Sequence, residues 1–277
     1  MICGEEMANI ISIVSSKGGT GKTTVALNLA VALAEAGDDT LLIDVDPLGA
    51  IGFSLARGDT DWRGLAEHIV DEIQLEDVIM QTKLPHLSIL PRGCLDPLDI
   101  EIYENVLRCS TALQEIIAAV EQQFRYIIID TPSGLGSVTR AALAVSTHTL
   151  LPLQAEPLAL RAISQSLHVL QHVKENENPG LELLGILAIM VQLNMDVSFT
   201  IMNTAWSSLP GVMETYIPRA EVFHLASEKG VPVAFLPGRC PPEAKRFEIL
   251  ATEIKTIIQD LGGDTGVEDE RPQRELV

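Results

Sequence analysis

Two lysines, three aspartates and a glycine run are the residues of this chain best suited to chemistry. Ser16-Lys17-Gly18-Gly19-Thr20-Gly21-Lys22-Thr23-Thr24 lies between an apolar run, Asn9–Ser15, and a longer one, Lys22–Ala36. Glycines let a backbone turn so that its N–H groups converge on an anion, and a helix starting just beyond adds positive potential. In such a cradle Lys22 reaches the β- and γ-phosphates of a nucleotide, and the Thr23 hydroxyl binds Mg²⁺. Gly18, Gly19, Thr20, Gly21 and Thr24 complete the phosphate-binding set. The bland alternative is a glycine-rich turn with an incidental Lys-Thr pair.

Two acidic segments follow. Asp44-Val45-Asp46-Pro47-Leu48-Gly49 ends the apolar run Thr40–Val45, and Tyr126-Ile-Ile-Ile-Asp130-Thr-Pro-Ser-Gly134 is four apolar residues and then an acid. In an open parallel sheet, ligands gather at the carboxyl ends of the strands. Asp44, Asp46 and Asp130 are therefore expected near the glycine loop. Asp130 has the position of a Walker B acid and is expected to hold Mg²⁺ through water, because Mg²⁺ keeps much of its hydration shell. Gly134 begins a loop able to move with the γ-phosphate. A dinucleotide fingerprint is rejected. Gly19 and Gly21 with Asp44 about 20 residues on resemble its start, but Thr24 stands at the third glycine and Lys22 has no role in it.

These residues need strands to end beside them. Short β-rich runs alternate with helical ones along the chain. Strands are expected at Asn9–Ser15, Thr40–Val45, His86–Leu90, Tyr126–Asp130, Thr147–Leu153, Leu184–Val191 and Val212–Ile217. Helices are expected at Lys22–Ala36, Leu65–Ile73, Leu75–Met80, Ile102–Gln123, Val138–Ala144, Leu158–Lys174, Ser198–Ser208 and Pro242–Leu261. Continuous apolar strands and strand–helix alternation indicate an α/β fold, doubly wound, with a mostly parallel sheet and helices on both faces. Lys22–Ala36 is apolar almost all round, which implies burial against that sheet. No composition break divides the chain. A flexible N-terminus over 1–8, one domain over 9–261 and a disordered acidic tail over 262–277 are expected, the tail having five acids and two basic residues.

Composition narrows the function classes. Among 277 residues, hydrophobic types make up 47% and charged types 21%, ordinary values for a globular protein. The net charge of −19 opposes binding to phosphate backbones unless a local basic patch exists. The four cysteines form no CxxC pair, and the six histidines form no metal motif. No leader segment and no apolar run of about 18 residues is seen, so neither export nor a membrane span is expected. The expected location is the cytoplasm, with the nucleoid added if DNA is bound.

The strict GxxxxGK[ST] pattern fails at Ser16, and KGGxGKTT stands in its place. This resembles the deviant Walker A motif of the ParA/MinD family of P-loop ATPases, closest to the ParA (Soj-like) branch. The resemblance covers about residues 9–260 and includes LPLQAEPLALRA (Leu151–Ala162) and Tyr216-Ile-Pro218-Arg219. It implies a P-loop NTPase fold of the SIMIBI type, ATP and Mg²⁺ as cofactors, and hydrolysis of ATP to ADP and phosphate. It implies Lys17, Lys22 and Asp46 as catalytic residues, with Lys17 crossing a homodimer interface to the partner subunit's phosphates. Asp46 acts on the attacking water and near the metal, with Asp44 a supporting acid. Pro218 and Arg219 pack by the adenine. The family usually has Gln where this chain has Leu48.

Family members of the ParA branch bind DNA non-specifically through basic residues of the C-terminal half. Candidates are Arg219, Lys245 and Arg246, then Lys229, Arg239 and Lys255. A ParB-like or cargo-adaptor protein is the implied stimulating partner, and partitioning or positioning of DNA or another cargo the implied function. The acidic end lacks the basic amphipathic helix of membrane-binding relatives. Two rivals share the fold: a MinD-like regulatory ATPase working through proteins alone, and an ATP-dependent ligase similar to dethiobiotin synthetase.

Overall fold

The computed structural model describes residues 7–55, 62–109, 111–156, 159–192, 200, 203–205, 207–209 and 211–263. Its sheet has eight strands: β1 (Asn9–Ile13), β2 (Thr40–Asp44), β3 (Met80–Gln81), β4 (Leu87–Leu90), β5 (Tyr126–Asp130), β6 (His148–Gln154), β7 (Glu182–Val191) and β8 (Val212–Pro218). Their order is β3-β4-β2-β5-β1-β6-β7-β8. Only the two-residue β3 is antiparallel to its neighbour. The central strand β1 pairs with β5 on one side and β6 on the other.

The central strands are apolar throughout because both sheet faces are covered. On β5, Tyr126 and Ile128 point to one core, and Ile127 and Ile129 to the other. The first core lies under α1 (Lys22–Glu35) and the C-terminal helix Pro242–Gly263, which contributes Phe247, Leu250 and Ile254. The second lies under α3 (Leu65–Val70), α4 (Leu75–Val78), α5 (Ile100–Cys109), α6 (Ala112–Val120) and α7 (Ser137–Val145). A third packs α8 (Ala159–Asn176) on β6 and β7. Each fully buried aliphatic side chain contributes about 1.5–3 kcal/mol by leaving water. The buried Asn28 of α1 donates to Thr24 O at 2.8 Å and accepts from Val233 N at 2.9 Å, so its polar atoms have partners inside the first core.

Several elements differ from expectation. The helix expected over Ile102–Gln123 is two helices, α5 and α6. Cys109 and Thr111 at the break are weak helix formers, and Thr111 leaves helical geometry with φ −81° and ψ 11° as the N-cap of α6. Met80 belongs to β3 rather than to the preceding helix. Two helices were not expected: α2 (Ala50–Leu55) and α9 (Val222–Lys229). They are six and eight residues long, too short for the apolar period to stand out. The last helix, α10 (Pro242–Gly263), runs two residues past the expected end. Most of the expected Ser198–Ser208 helix lies outside the described residues, as do residues 1–6 and the tail from 264. Ala8, placed in the flexible N-terminus by the sequence, is buried beside Ile10.

Candidate functional site

Three strand ends converge. Parallel register puts Ile13 of β1 level with Asp130 of β5, and Asp130 level with Asp44 of β2. The glycine loop, the DxDP turn and the loop after Asp130 therefore leave the sheet side by side. Thr131 Oγ1 donates to Ile13 O at 2.6 Å and Gly134 N to Ser15 O at 3.1 Å, stitching the third loop to the first.

In the glycine loop, Gly19 and Gly21 have φ of 72° and 66°, the left-handed region that side chains resist. Gly21 caps α1, and no side chain caps the helix. The first-turn amides thus face the loop interior, as anion binding requires. Lys22, in that first turn, is buried, with Nζ 3.2 Å from Ser133 Oγ. Burial pushes its pKa down, while the Asp130 and Asp46 carboxylates pull it back up. Thr20 Oγ1 donates to Lys17 O at 3.3 Å, and Ser15 Oγ accepts Lys17 N at 3.4 Å, bracing the turn.

Asp130 is fully buried, and neither carboxylate oxygen has a hydrogen-bond partner of ordinary geometry. Burial pushes its pKa up to about 7; Thr23 is near enough to favour the charged form, and so is Lys22, while Asp46 opposes it. A buried carboxylate without donors is costly unless a cation completes it. With Thr23 on the facing helix end, the pair fits Mg²⁺, which takes hard oxygen ligands and retained waters. These residues could hold the metal, and Lys22 with the loop amides could hold phosphate.

The raised pKa has a testable sign. Folded Asp130 holds its proton up to about pH 7, whereas an unfolded Asp loses it near pH 3.9. The folded state is thus favoured at low pH by this group, and that stability is lost as pH rises through about 7. The melting temperature of nucleotide-free protein in a chelator is expected to fall between about pH 4 and pH 7, the interval between the two pKa values, and to level off above it. Asp130→Asn should flatten that slope, and an unchanged slope by scanning fluorimetry would count against the assignment.

Asp44 is fully buried beside Asp130, and both of its oxygens accept backbone amides: Asp46 N at 3.1 Å and Ile51 N at 3.0 Å. Burial, then the Asp130 charge, push its carboxyl well above the usual range, against the pull of those amides. These two bonds tie Asp44 to the DxDP loop at Asp46 and to the helix start at Ile51. Asp46 Oδ1 accepts Leu48 N at 2.9 Å, and the Asp46 charge reaches both Lys22 and Asp130.

Lys17 stands apart from these groups. It is exposed, and its Nζ is 2.9 Å from Glu156 Oε2, with 49% and 45% of the two side chains open to solvent. Pro218 and Arg219 line a cavity of about 280 Å³ that opens beside Gly21 and Thr24 and has Phe223, Phe247 and Ile217 among its walls. Of the basic candidates, Arg246 stacks 4.5 Å over the Tyr216 ring and bonds its hydroxyl at 3.2 Å. Lys255 pairs with Asp38. These two are therefore occupied within the chain rather than presented outward. Arg219, Arg239 and Lys245 are exposed. The sequence reading missed Ser133 and Glu156 as partners of the two lysines; both stand inside motifs already noted, DTPSG and QAEP, but their pairing depends on tertiary contact.

Comparison with known proteins gives this geometry a context. The AAA domain family matches residues 8–183. The sporulation initiation inhibitor protein Soj of Bacillus subtilis (strain 168) is 32% identical over 231 residues, covering 82% of this chain and 90% of Soj. The chain belongs to the ParA/MinD family, in its ParA (Soj-like) branch. Two solved structures agree with the fold. The septum site-determining protein MinD of Pyrococcus horikoshii OT3, complexed with Mg-ADP, has a TM-score of 0.74 and 27% identity, covering 91% of this chain and 98% of MinD. Cobyrinic acid a,c-diamide synthase of Mycobacterium smegmatis, with bound ADP and magnesium, has a TM-score of 0.73 and 25% identity, covering 89% and 93%. ParA/MinD proteins are P-loop ATPases, and the eight-stranded sheet here is of that type. No helix among the described residues is long and apolar enough to cross a membrane.

Proposed function

We propose that this chain binds ATP with Mg²⁺, closes face to face with a second copy around two nucleotides, and opens again on hydrolysis. The Soj relative's place in the ParA branch and the Mg-ADP of the MinD structure support that cofactor choice. The phosphate lies on the glycine-loop amides and Lys22, and Mg²⁺ on Thr23 and Asp130. Asp46 positions the attacking water. The base occupies the cavity lined by Pro218 and Arg219.

One observation carries the dimer. Lys17 sits on the rim of the phosphate cradle, and among the described residues its ammonium is held by an exposed ion pair to Glu156. Exposed pairs are worth about 0–1 kcal/mol, so releasing Lys17 costs little. A triphosphate brought by a facing copy offers it far more charge. Gly18 leaves clearance for that copy: it is exposed, and among the described residues an added Cβ would meet only the Ser133 side chain, at 3.6 Å from Oγ and 3.8 Å from Cβ. Lys17 then acts in trans, stabilising charge on the transferring phosphoryl group.

The cycle of association and release drives positioning of DNA or another cargo in the cytoplasm, with hydrolysis raised by a ParB-like or cargo-adaptor partner. Arg219, Arg239 and Lys245 are the exposed candidates left to contact DNA; retention on non-specific DNA with and without ATP separates this from a MinD-like role through proteins alone. The likeness to a diamide synthase keeps a ligase as a second reading. A ligase would release ADP only with its small-molecule substrate, whereas ADP release without one supports the positioning cycle.

Asp46→Ala tests the reading directly. ATP binding should persist, hydrolysis should fall about 100-fold or more, as for loss of a water-orienting acid, and the dimer should be trapped. Size-exclusion chromatography with Mg-ATP should show a lasting dimer. A variant that stays monomeric in saturating Mg-ATP argues against it.

A further inference from the structure

Among the described residues, three buried side-chain polar atoms lack a hydrogen-bond partner: both oxygens of Asp130, and Nε of Arg92. The carboxylate fits the Mg²⁺ site described above. Arg92 belongs to no motif, yet it is mounted against the nucleotide site with unusual firmness. It follows β4, in a segment clamped to the start of α3. Leu65 N donates to Pro91 O at 2.8 Å and Ala66 N to Arg92 O at 2.8 Å. The buried Glu67 carboxylate accepts Gly64 N at 2.8 Å and Cys94 N at 2.9 Å, bridging the two segments. Gly64 and Pro91 approach so closely that a Cβ on Gly64 would lie 2.1 Å from Pro91 O.

On this fixed mount the guanidinium presses against the back of the DxDP turn. A Cβ on Gly49 would lie 2.8 Å from Arg92 Nε and 2.9 Å from Nη2. Gly49 N donates to Asp46 O at 2.8 Å, closing the turn that carries Asp46. Among the described residues, Nη1 donates to Leu95 O, at 3.4 Å. The charges of Arg92, Asp44 and Asp46 all act on the buried Tyr103 phenol, whose hydroxyl is 3.4 Å from Val45 O. A guanidinium offers five donors in a rigid fork, and a buried charged donor without an acceptor is unfavourable. The nucleotide-free arrangement is therefore one the turn can improve on by moving.

We propose that Arg92 is a positioning residue for Asp46: when Mg-ATP binds, the Asp46–Gly49 turn shifts to give the unpaired Nε–H an acceptor, and that bond holds Asp46 over the γ-phosphate. Arg92 touches neither nucleotide nor metal and acts through the turn. This rests on the nucleotide site proposed above.

Hydrogen exchange of the amides of residues 46–55 tests it, with Mg²⁺ and a non-hydrolysable ATP analogue at saturation. In the unmodified chain the analogue should slow exchange there about 10-fold or more, the scale of one charge-assisted hydrogen bond. Arg92→Gln should reduce that protection to less than about 2-fold, and Arg92→Lys should also fail, because the fork and not the charge makes the bond. Affinity for the analogue should stay within about 3-fold, and kcat should drop about 10-fold with KM unchanged. The proposal is overturned if both variants keep full protection, if the unmodified chain gains none, or if affinity falls in step with protection, which would mark a merely structural arginine. The exchange readout needs no turnover, so a chain that binds ATP without cleaving it would refute the ATPase reading and leave this test standing.

Discussion

Lys22→Ala is expected to abolish useful ATP binding, weakening it by at least about 100-fold, the scale of removing one member of a buried charge pair. The reason is geometric. Lys22 is the buried cation of the cradle, at the first turn of an uncapped helix, with Nζ directed at Ser133 and its charge felt by Asp130 and Asp46. In the absence of nucleotide Lys22, by its charge, favours the ionised form of Asp130. With nucleotide bound it meets the β- and γ-phosphates, where no other lysine of this chain is placed among the described residues. Alanine also leaves Asp130 without its nearby positive charge, so the phosphates must meet a more negative, more repulsive site. The fold should survive, since Lys22 packs at the rim of α1 and not in its apolar body. Titration with a fluorescent ATP analogue, alongside circular dichroism, measures both. Binding within about 3-fold of the unmodified chain would refute the cradle assignment, because an interaction of this class is worth far more than that.

Lys17→Ala is expected to do something different. Binding should be nearly unchanged, while hydrolysis falls about 1,000-fold, the lower end of what a positive finger supplied by a second subunit contributes. Lys17 is half-exposed and paired with Glu156 rather than with any acid of its own cradle. It therefore adds little to the nucleotide affinity of the subunit that carries it. Its contribution appears only when two copies close, so stable dimer formation in Mg-ATP should be lost with it. Equilibrium binding, single-turnover hydrolysis and light scattering together separate these effects. A variant that binds weakly from the start would place Lys17 in its own site instead.

Much of this was legible in the sequence, for identifiable reasons. The cradle could be read because glycines, Lys22 and Thr23 are consecutive, and chemistry packed into nine residues needs no tertiary knowledge. The central strands could be read because burial on both faces makes runs such as Tyr126–Asp130 wholly apolar. Alternation of strands and helices then implied the parallel sheet. What stayed hidden depends on distant partners. Lys255 and Arg246 look like free cations on a helix, but Asp38 lies 217 residues from one and Tyr216 30 residues from the other. Glu156 was visible as a letter but not as the counter-charge of Lys17, 139 residues away. Arg92 gave no signal at all: a single arginine after a proline has no pattern, and only the loop clamped by Glu67 shows where it presses. The break between α5 and α6 was missed because two adjacent amphipathic stretches keep the same apolar period across it.

The claim that Lys17 serves a neighbouring subunit is tested most directly by mixing two inactive variants before ATP is added. Lys17→Ala retains Asp46 and a complete cradle; Asp46→Ala retains Lys17. Each mixed dimer has one complete site, on the Lys17→Ala subunit, so hydrolysis should reappear on mixing, with about a quarter of the unmodified rate as the ceiling reached if the two variants assorted evenly. Each variant alone should stay silent. A mixture in which differently tagged subunits co-purify as mixed dimers, yet which is as inactive as its components, would mean that Lys17 works on the nucleotide of its own subunit, or not at all.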